Sequence, residues 1–288
     1  MSVQKRVAAI HDISCFGRCS LTVALPIISA AGIETSVIPT AVLSTHTGGF
    51  SGYTFRDLTD DIMPIVKHWK KVGIDFDAIY TGYLGSFEQI DIISDIFDIY
   101  KKRGTFIAVD PVMGDHGKLY SLFPDNFPDG MKKLCAKADL IVPNITEALL
   151  LLGETYREGP YSKDFIISLL KRLSEIGAKQ VVLTGVYLED GKLGAASYDK
   201  GTDKVNIALS EKIDGFYHGT GDVFASALVA ALMSGLNLQA STVIAVNFTV
   251  GSIKRTKAAG TDVRFGVNFE EGLMELVESI KNSKEQNS

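Results

Sequence analysis

The chain has 288 residues, enough for one large α/β core or two small ones, and its 46% hydrophobic and 22% charged residues are ordinary globular usage. A net charge of -5 argues against nucleic acid as a main partner. Three cysteines, Cys15, Cys19 and Cys135, form neither a C-x-x-C pair nor an even framework, which excludes a disulfide scaffold and fits a reduced, cytoplasmic setting.

The start, Met1-Ser2-Val3-Gln4-Lys5-Arg6, leads into an apolar run too brief for a signal sequence, so export is not expected. Val7 to Ile10 predicts a short buried strand whose end delivers His11-Asp12-Ile13-Ser14 to a loop, followed by an apolar helix over Leu21 to Ala31 closed by Gly32. Ser36 to Val42 predicts the next strand, and Ser44 to Gly52 is a glycine-rich loop too polar for core. A helix over Asp57 to Lys71 places Leu58, Ile62, Ile65, Val66 and Trp69 at helical spacing. Ala78-Ile79-Tyr80 then opens into Thr81-Gly82-Tyr83, and Ser86 with Gln89 has the spacing of a capping box for a helix burying Ile90, Ile93, Phe97 and Tyr100.

Phe106 to Val109 is a continuous apolar strand ending at Asp110-Pro111-Val112-Met113-Gly114-Asp115. His116 to Asp129, rich in Gly, Pro, Asp and Asn, is expected to be a mobile loop able to close over a ligand. Leu140 to Val142 is another strand, leading through Pro143-Asn144-Ile145-Thr146-Glu147 into a short helix over Ala148 to Leu152. Ser162 to Ile176 predicts a helix, Gln180 to Gly185 a strand, and the stretches around Leu193–Tyr198 and Val205–Leu209 an antiparallel pair. A last helix spans Phe269 to Ile280, and the polar tail, about 281–288, is expected to fray.

The turn His218-Gly219-Thr220-Gly221-Asp222 runs into an apolar helix expected from Val223 to Ser234, stopped by Gly235. The uncharged stretch from here to Lys254 is broken at Gly235-Leu236-Asn237, which favours two buried helices over a membrane span. Gly219 and Gly221 let backbone N–H groups converge on one spot at a helix N-terminus, which suits an anion such as a reacting phosphate. Asp222 beside that spot is expected to be stabilised as the ion, orienting a hydroxyl and taking its proton late in transfer. Alone, the turn reads better as a plain helix cap and chain turn, since short glycine motifs recur by chance. The strand–helix alternation predicts one domain over residues 1–288, a three-layer α/β/α sandwich with a mostly parallel central sheet. Its strand ends gather Asp12, Thr47, Tyr83, Asp110, Asn144 and Thr184 at one edge, where ligands bind in such sheets.

Several motifs in order, Ser44-Thr45-His46-Thr47-Gly48, Thr81-Gly82-Tyr83, Val109 to Asp115, Pro143 to Glu147 and Gly219-Thr220-Gly221-Asp222, resemble those of the pyridoxal/pyridoxamine kinases of the ribokinase-like superfamily over nearly the whole chain. The resemblance implies ATP-dependent phosphorylation of the 5′-hydroxymethyl of a vitamin B6 vitamer, with Asp222 as base and Gly219, Thr220 and Gly221 as the anion hole. It implies Asp12, Ser14, Thr47 and Tyr83 for the vitamer, and Asp110, Asp115, Tyr120, Asn144, Thr184, Gly185, Gly219 and Gly221 for the nucleotide. Asp115, Asn144 and Glu147 would serve Mg²⁺ and its waters, with a monovalent cation a further candidate, and a homodimer is implied, with neither nucleic acid nor membrane as partner. The chain departs from the family's Ile-Gln-Ser-His pattern at Asp12, an acid able to pair with a protonated ring nitrogen or amine. Asp12-x-Ser14 also resembles hydroxymethylpyrimidine kinases, the alternative enzyme reading. A non-catalytic vitamin- or nucleotide-binding protein on the same fold stands as the alternative of another class.

Overall fold

The computed structural model describes residues 4–101 and 104–286. The chain opens with β1 (Arg6–Phe16), α1 (Leu21–Ala30), β2 (Glu34–Thr45), β3 (Phe55–Asp57), α2 (Thr59–Lys71) and β4 (Ala78–Thr81). It continues through α3 (Phe87–Lys101), β5 (Phe106–Val109), β6 (Gly114–Asp115), β7 (Lys118–Leu119), α4 (Phe127–Cys135), β8 (Leu140–Ile141), α5 (Ile145–Leu152) and α6 (Lys163–Ser174). After β9 (Gln180–Val186), β10 (Lys192–Asp199) and β11 (Lys204–Glu211) come α7 (Thr220–Met233), α8 (Leu238–Ala259) and α9 (Leu273–Gln286). The architecture is the expected three-layer α/β/α type with a mostly parallel central sheet.

The described residues fall into two compact units, one made of those up to Tyr80 together with those from Ile213 on, the other of Thr81–Lys212. In the first unit the strand order is β4-β1-β2-β3, with β1 and β2 parallel and β3 antiparallel on β2. Helix α1 packs on β1 and β2, and α7 packs on both α1 and α8. Val23, Ala24, Ile27 and Ile28 of α1 and Val223, Ala227 and Leu228 of α7 are fully buried, so apolar surface removed from water holds these layers. In the second unit the order is β5-β8-β9-β10-β11, parallel up to β9 and antiparallel beyond it. Helix α3 buries Ile90, Ile93, Phe97 and Tyr100 as its spacing predicts.

Four expectations are corrected. β1 does not end at Ile10: after an irregularity between His11 and Ile13 it pairs with β2 as far as Phe16 and Thr45, so Asp12 and Ser14 sit on a strand rather than a loop. The 116–129 segment is only partly irregular, because β6 and β7 form a hairpin and α4 begins at Phe127, whose ring stacks on Phe123 at 3.9 Å. Helix α7 starts at Thr220, with Gly219 as its N-cap, so Gly221 and Asp222 belong to its first turn. Helix α9 runs through Gln286, leaving only 287–288 of the expected frayed tail outside the described residues. The edge strand β3 had no expectation; with three exposed residues it carries no buried alternation to reveal it. Among the described residues no helix is long and apolar enough to cross a membrane.

Candidate functional site

In the first unit the candidate residues gather where α7 begins. Gly219 has φ +73°, and a Cβ there would land on the carbonyl oxygen of Arg18 and lie 3.5 Å from Cys19 Sγ, so the turn presses on the 18–20 segment as only glycine allows. Gly221 is different: it is exposed, and a Cβ on it would meet nothing within 4 Å. Thr220 turns its hydroxyl back to the Tyr217 carbonyl at 3.2 Å.

The Asp222 residue is half-buried by surface, yet its carboxylate lies deep enough for desolvation to dominate. Burial pushes its pKa up to about 7, against a hydrogen bond donated by the Ser20 N–H, and the Asp12 charge pushes the same way as burial. The expectation of a carboxylate stabilised as the ion by the helix dipole is thus reversed. Asp12, 5% exposed, has its pKa raised by burial, opposed by the Ser20 hydroxyl, its own backbone N–H and the Ser14 hydroxyl at 3.4 Å. Burial and the charges of Asp222 and Asp12 also raise the Cys19 thiol, so this cysteine is held as the neutral thiol.

The loop that carries Thr47 is fixed by two histidines. His46 Nδ1 accepts the Gly48 N–H at 3.1 Å, which assigns the proton to Nε2, donated to the Arg264 carbonyl at 2.6 Å. The His46 and His218 rings stand 5.1 Å apart, and a Cβ on Gly48 would sit 2.5 Å from His218 Cε1. Thr47 itself is exposed.

In the second unit the capping box of α5 organises a second cluster. Asn144 Oδ1 accepts the Glu147 N–H at 2.9 Å and Glu147 Oε2 accepts the Asn144 N–H at 2.9 Å. The same two side chains reach the strand-end loop, Glu147 Oε1 accepting the Met113 N–H at 3.1 Å and Asn144 Nδ2 donating to the Gly114 carbonyl at 2.9 Å. Burial raises the Glu147 pKa, backbone N–H donors from Asn144, Met113 and Gly114 oppose it, and the Asp115 charge adds to the rise. Asp115 is half-buried and accepts the His116 N–H at 2.8 Å, while Asp110 is 7% exposed. Thr184 donates its N–H to the Pro143 carbonyl at 2.9 Å, and Gly185, exposed with φ +73°, is the bulged residue where β9 meets β10. The rings of Tyr83 and Phe123 lie 5.6 Å apart, and Tyr120 is 40% exposed.

Among the described residues no group of three or more His, Cys, Asp or Glu could hold a metal ion by itself. The donors nevertheless fit magnesium in its usual enzyme form, one or two carboxylates with substrate phosphates and water completing the shell. Asp115 is the carboxylate with room for this, and Asn144 and Glu147 are engaged in fixing the loop beside it. Sequence reasoning missed Ser20 and Cys19; Ser20 stands at the N-cap of α1, where a serine is read as a helix cap and nothing more.

This α/β fold, with a glycine-started helix carrying a buried carboxylate in its first turn, is that of the ribokinase-like kinases. Residues 27–266 match the model of the phosphomethylpyrimidine kinase family. The chain is 26% identical over 269 residues to a pyridoxine/pyridoxal/pyridoxamine kinase of Bordetella avium, covering 88% of this chain and 86% of the relative. A Bacteroides thetaiotaomicron protein, provisionally described as a phosphomethylpyrimidine kinase and solved with pyridoxal, superposes with a TM-score of 0.90 at 38% identity, covering 95% of this chain and 96% of that one. Pyridoxal kinase from Lactobacillus plantarum gives a TM-score of 0.86 at 30% identity over 98% of this chain and 99% of its own. The chain belongs to the phosphomethylpyrimidine kinase family, within the group that includes the pyridoxal kinases.

Proposed function

We propose that the protein is an ATP-dependent kinase that phosphorylates the 5′-hydroxymethyl of a B6 vitamer, working as a cytoplasmic homodimer in vitamin salvage. The observation that carries the reading is Asp222, a carboxylate in the first turn of α7 whose pKa of about 7 suits proton acceptance at neutral pH. The pyridoxal kinase relatives and the neighbour solved with pyridoxal support the choice of vitamer.

In this reading Asp222 orients the hydroxyl and receives its proton as the oxygen attacks the γ-phosphorus, and the phosphorus–oxygen bond to the β-phosphate breaks to release ADP. The amides of Gly219, Thr220 and Gly221 face the growing negative charge. Asp12, Ser14, Thr47 and Tyr83 recognise the vitamer, and Asp110, Asp115, Tyr120, Asn144, Thr184 and Gly185 serve the nucleotide. Asp115, supported by Asn144 and Glu147, would hold Mg²⁺, which when bound neutralises phosphate charge.

The test is product identification. Incubation with pyridoxal, ATP and Mg²⁺ should yield one product phosphorylated on the 5′-oxygen, with Asp222→Asn slower by about two to four orders of magnitude. ADP formation without a 5′-phosphate would defeat the proposal. The family description favours one second reading, hydroxymethylpyrimidine as the substrate, which the same product analysis detects.

A further inference from the structure

The turn of the β6–β7 hairpin is held from two sides by residues that none of the roles above uses. Asp115 pairs with Lys118 across the hairpin, so His116 and Gly117 form the turn, and both have positive φ, +48° and +76°. Positive φ at both central residues is the backbone of a type I′ turn, which a histidine keeps only under constraint. The turn decides where Asp115 points. Asp115 Oδ1 accepts the His116 N–H at 2.8 Å, and His116 Nε2 stands 3.6 Å from Oδ2 of the same carboxylate.

One constraint is Thr146, in the first turn of α5 and 3% exposed, whose hydroxyl oxygen accepts the Gly117 N–H at 2.9 Å. The other is Tyr156. A Cβ on Gly117 would lie 2.5 Å from Tyr156 Cδ1 and 2.8 Å from its Cγ, so the ring packs on the backbone of the turn as only glycine permits. The chain brings this ring back by ending α5 at Gly153 in the left-handed conformation, where the Gly153 N–H donates to the Leu150 carbonyl and the Glu154 N–H to the Leu149 carbonyl. The returning segment is anchored on either side of Tyr156. Glu154 pairs with Arg172 of α6, and the Tyr161 N–H donates to the Tyr187 carbonyl at 2.7 Å.

We propose that Thr146 and Tyr156 are positioning residues: together they clamp the His116-Gly117 turn and so fix the Asp115 carboxylate for the metal and phosphate role proposed above. The hydroxyl takes up a turn N–H that lies outside the paired residues of the hairpin, and the ring occupies the space into which the turn would otherwise relax. The inference rests on the kinase reading for the use made of Asp115; the clamp itself is measurable without metal or nucleotide.

The test begins with amide hydrogen exchange of the protein free of metal and nucleotide. Thr146→Val, close to the native shape, and Tyr156→Ala should each speed exchange at His116 and Gly117 by about tenfold or more, with the amides of α6 unchanged. Thr146→Ser, which restores the hydroxyl, and Tyr156→Phe, which keeps the ring carbons facing Gly117, should exchange as the native protein does. The second readout is calorimetric titration of ADP at a series of Mg²⁺ concentrations. The two loosened variants should need about tenfold more Mg²⁺ for half-maximal ADP binding, as loss of a partner that orients a metal-bound carboxylate does. In an Asp115→Asn background Thr146→Val should raise that requirement by less than about twofold, because the group it positions is gone. Native-like exchange in folded Thr146→Val and Tyr156→Ala would overturn the clamp. Faster exchange with an unchanged Mg²⁺ requirement, or a full effect of Thr146→Val without the Asp115 carboxylate, would overturn the positioning of Asp115. Thr146→Ala and Tyr156→Leu replace either variant that fails to fold. If the native protein binds no ADP at any Mg²⁺ concentration, the kinase reading fails while hydrogen exchange still decides the clamp.

Discussion

Asp222 and the two glycines before it show how differently neighbouring residues can be constrained. Gly219 is demanded by the chain's own sterics, whereas Gly221 has open space about it. Gly219→Ala should therefore destabilise the fold by about 2 kcal/mol or more, through backbone strain added to a steric clash. Gly221→Ala, in the first turn of a helix, should be neutral or stabilising by up to about 1 kcal/mol. If phosphate approaches that amide, its cost falls on kcat/KM for ATP, by about tenfold or more. Thermal melts and kinetics of the two variants check this; equal stability would show that the close approach at Gly219 is absent. Asp222 adds a pH signature. Its folded pKa of about 7 lies above the ordinary 3.8, so between those values the native state binds the extra proton and stability falls as pH rises. Asp222→Asn should leave stability unchanged at about pH 4 and raise it at about pH 8, since only there is an ionised, partly desolvated carboxylate removed. A variant less stable than the native protein at the higher pH would contradict the cause assigned to the shift.

At the scale of elements, the capping box of α5 explains why Asn144 and Glu147 were legible in sequence while their geometry was not. Their spacing places both at a helix start, but the further hydrogen bonds to Met113 and Gly114 join residues about 30 positions apart, which no local pattern records. Asn144→Ala should cost about 1 kcal/mol of stability as a lost cap. Paired with Glu147→Gln, it should also raise the Mg²⁺ concentration needed for activity, by loosening the loop that bears Asp115. Metal dependence unchanged in a folded double variant would leave the pair a cap alone. Strand β1 teaches a related lesson. Its apolar run stops at Ile10, and the strand was read as ending there; pairing with β2 carries it on to Phe16 and brings Asp12 and Ser14 into the buried sheet. The helix start at Thr220 was hidden for a similar reason, since Gly-Thr-Gly reads as a turn by propensity and becomes helical through the packing of α7 on α1 and α8.

For the molecule as a whole, the alternation of apolar strands and periodic helices made the α/β class readable, because burying both faces of a parallel sheet imposes continuous apolar strands such as Phe106–Val109. The electrostatics were not readable, since the rise in pKa of Asp12, Glu147 and Asp222 depends on burial that only the folded chain creates. All three shifts have one sign, so ionising these groups opposes folding, and their combined effect is a fall in melting temperature from about pH 5 to about pH 8.5. A melting temperature that rises over that interval would require stabilising charges that outweigh them. The central claim concerns what this α/β kinase phosphorylates, and one measurement addresses it most directly. Specificity constants for pyridoxal, pyridoxamine, pyridoxine and hydroxymethylpyrimidine are determined side by side from ADP release, with and without Mg²⁺. A B6 vitamer should be preferred over hydroxymethylpyrimidine by at least about tenfold in kcat/KM, a difference of about 1.4 kcal/mol in transition-state binding, and only with Mg²⁺ present. Turnover of hydroxymethylpyrimidine with none of the B6 vitamers would contradict the account.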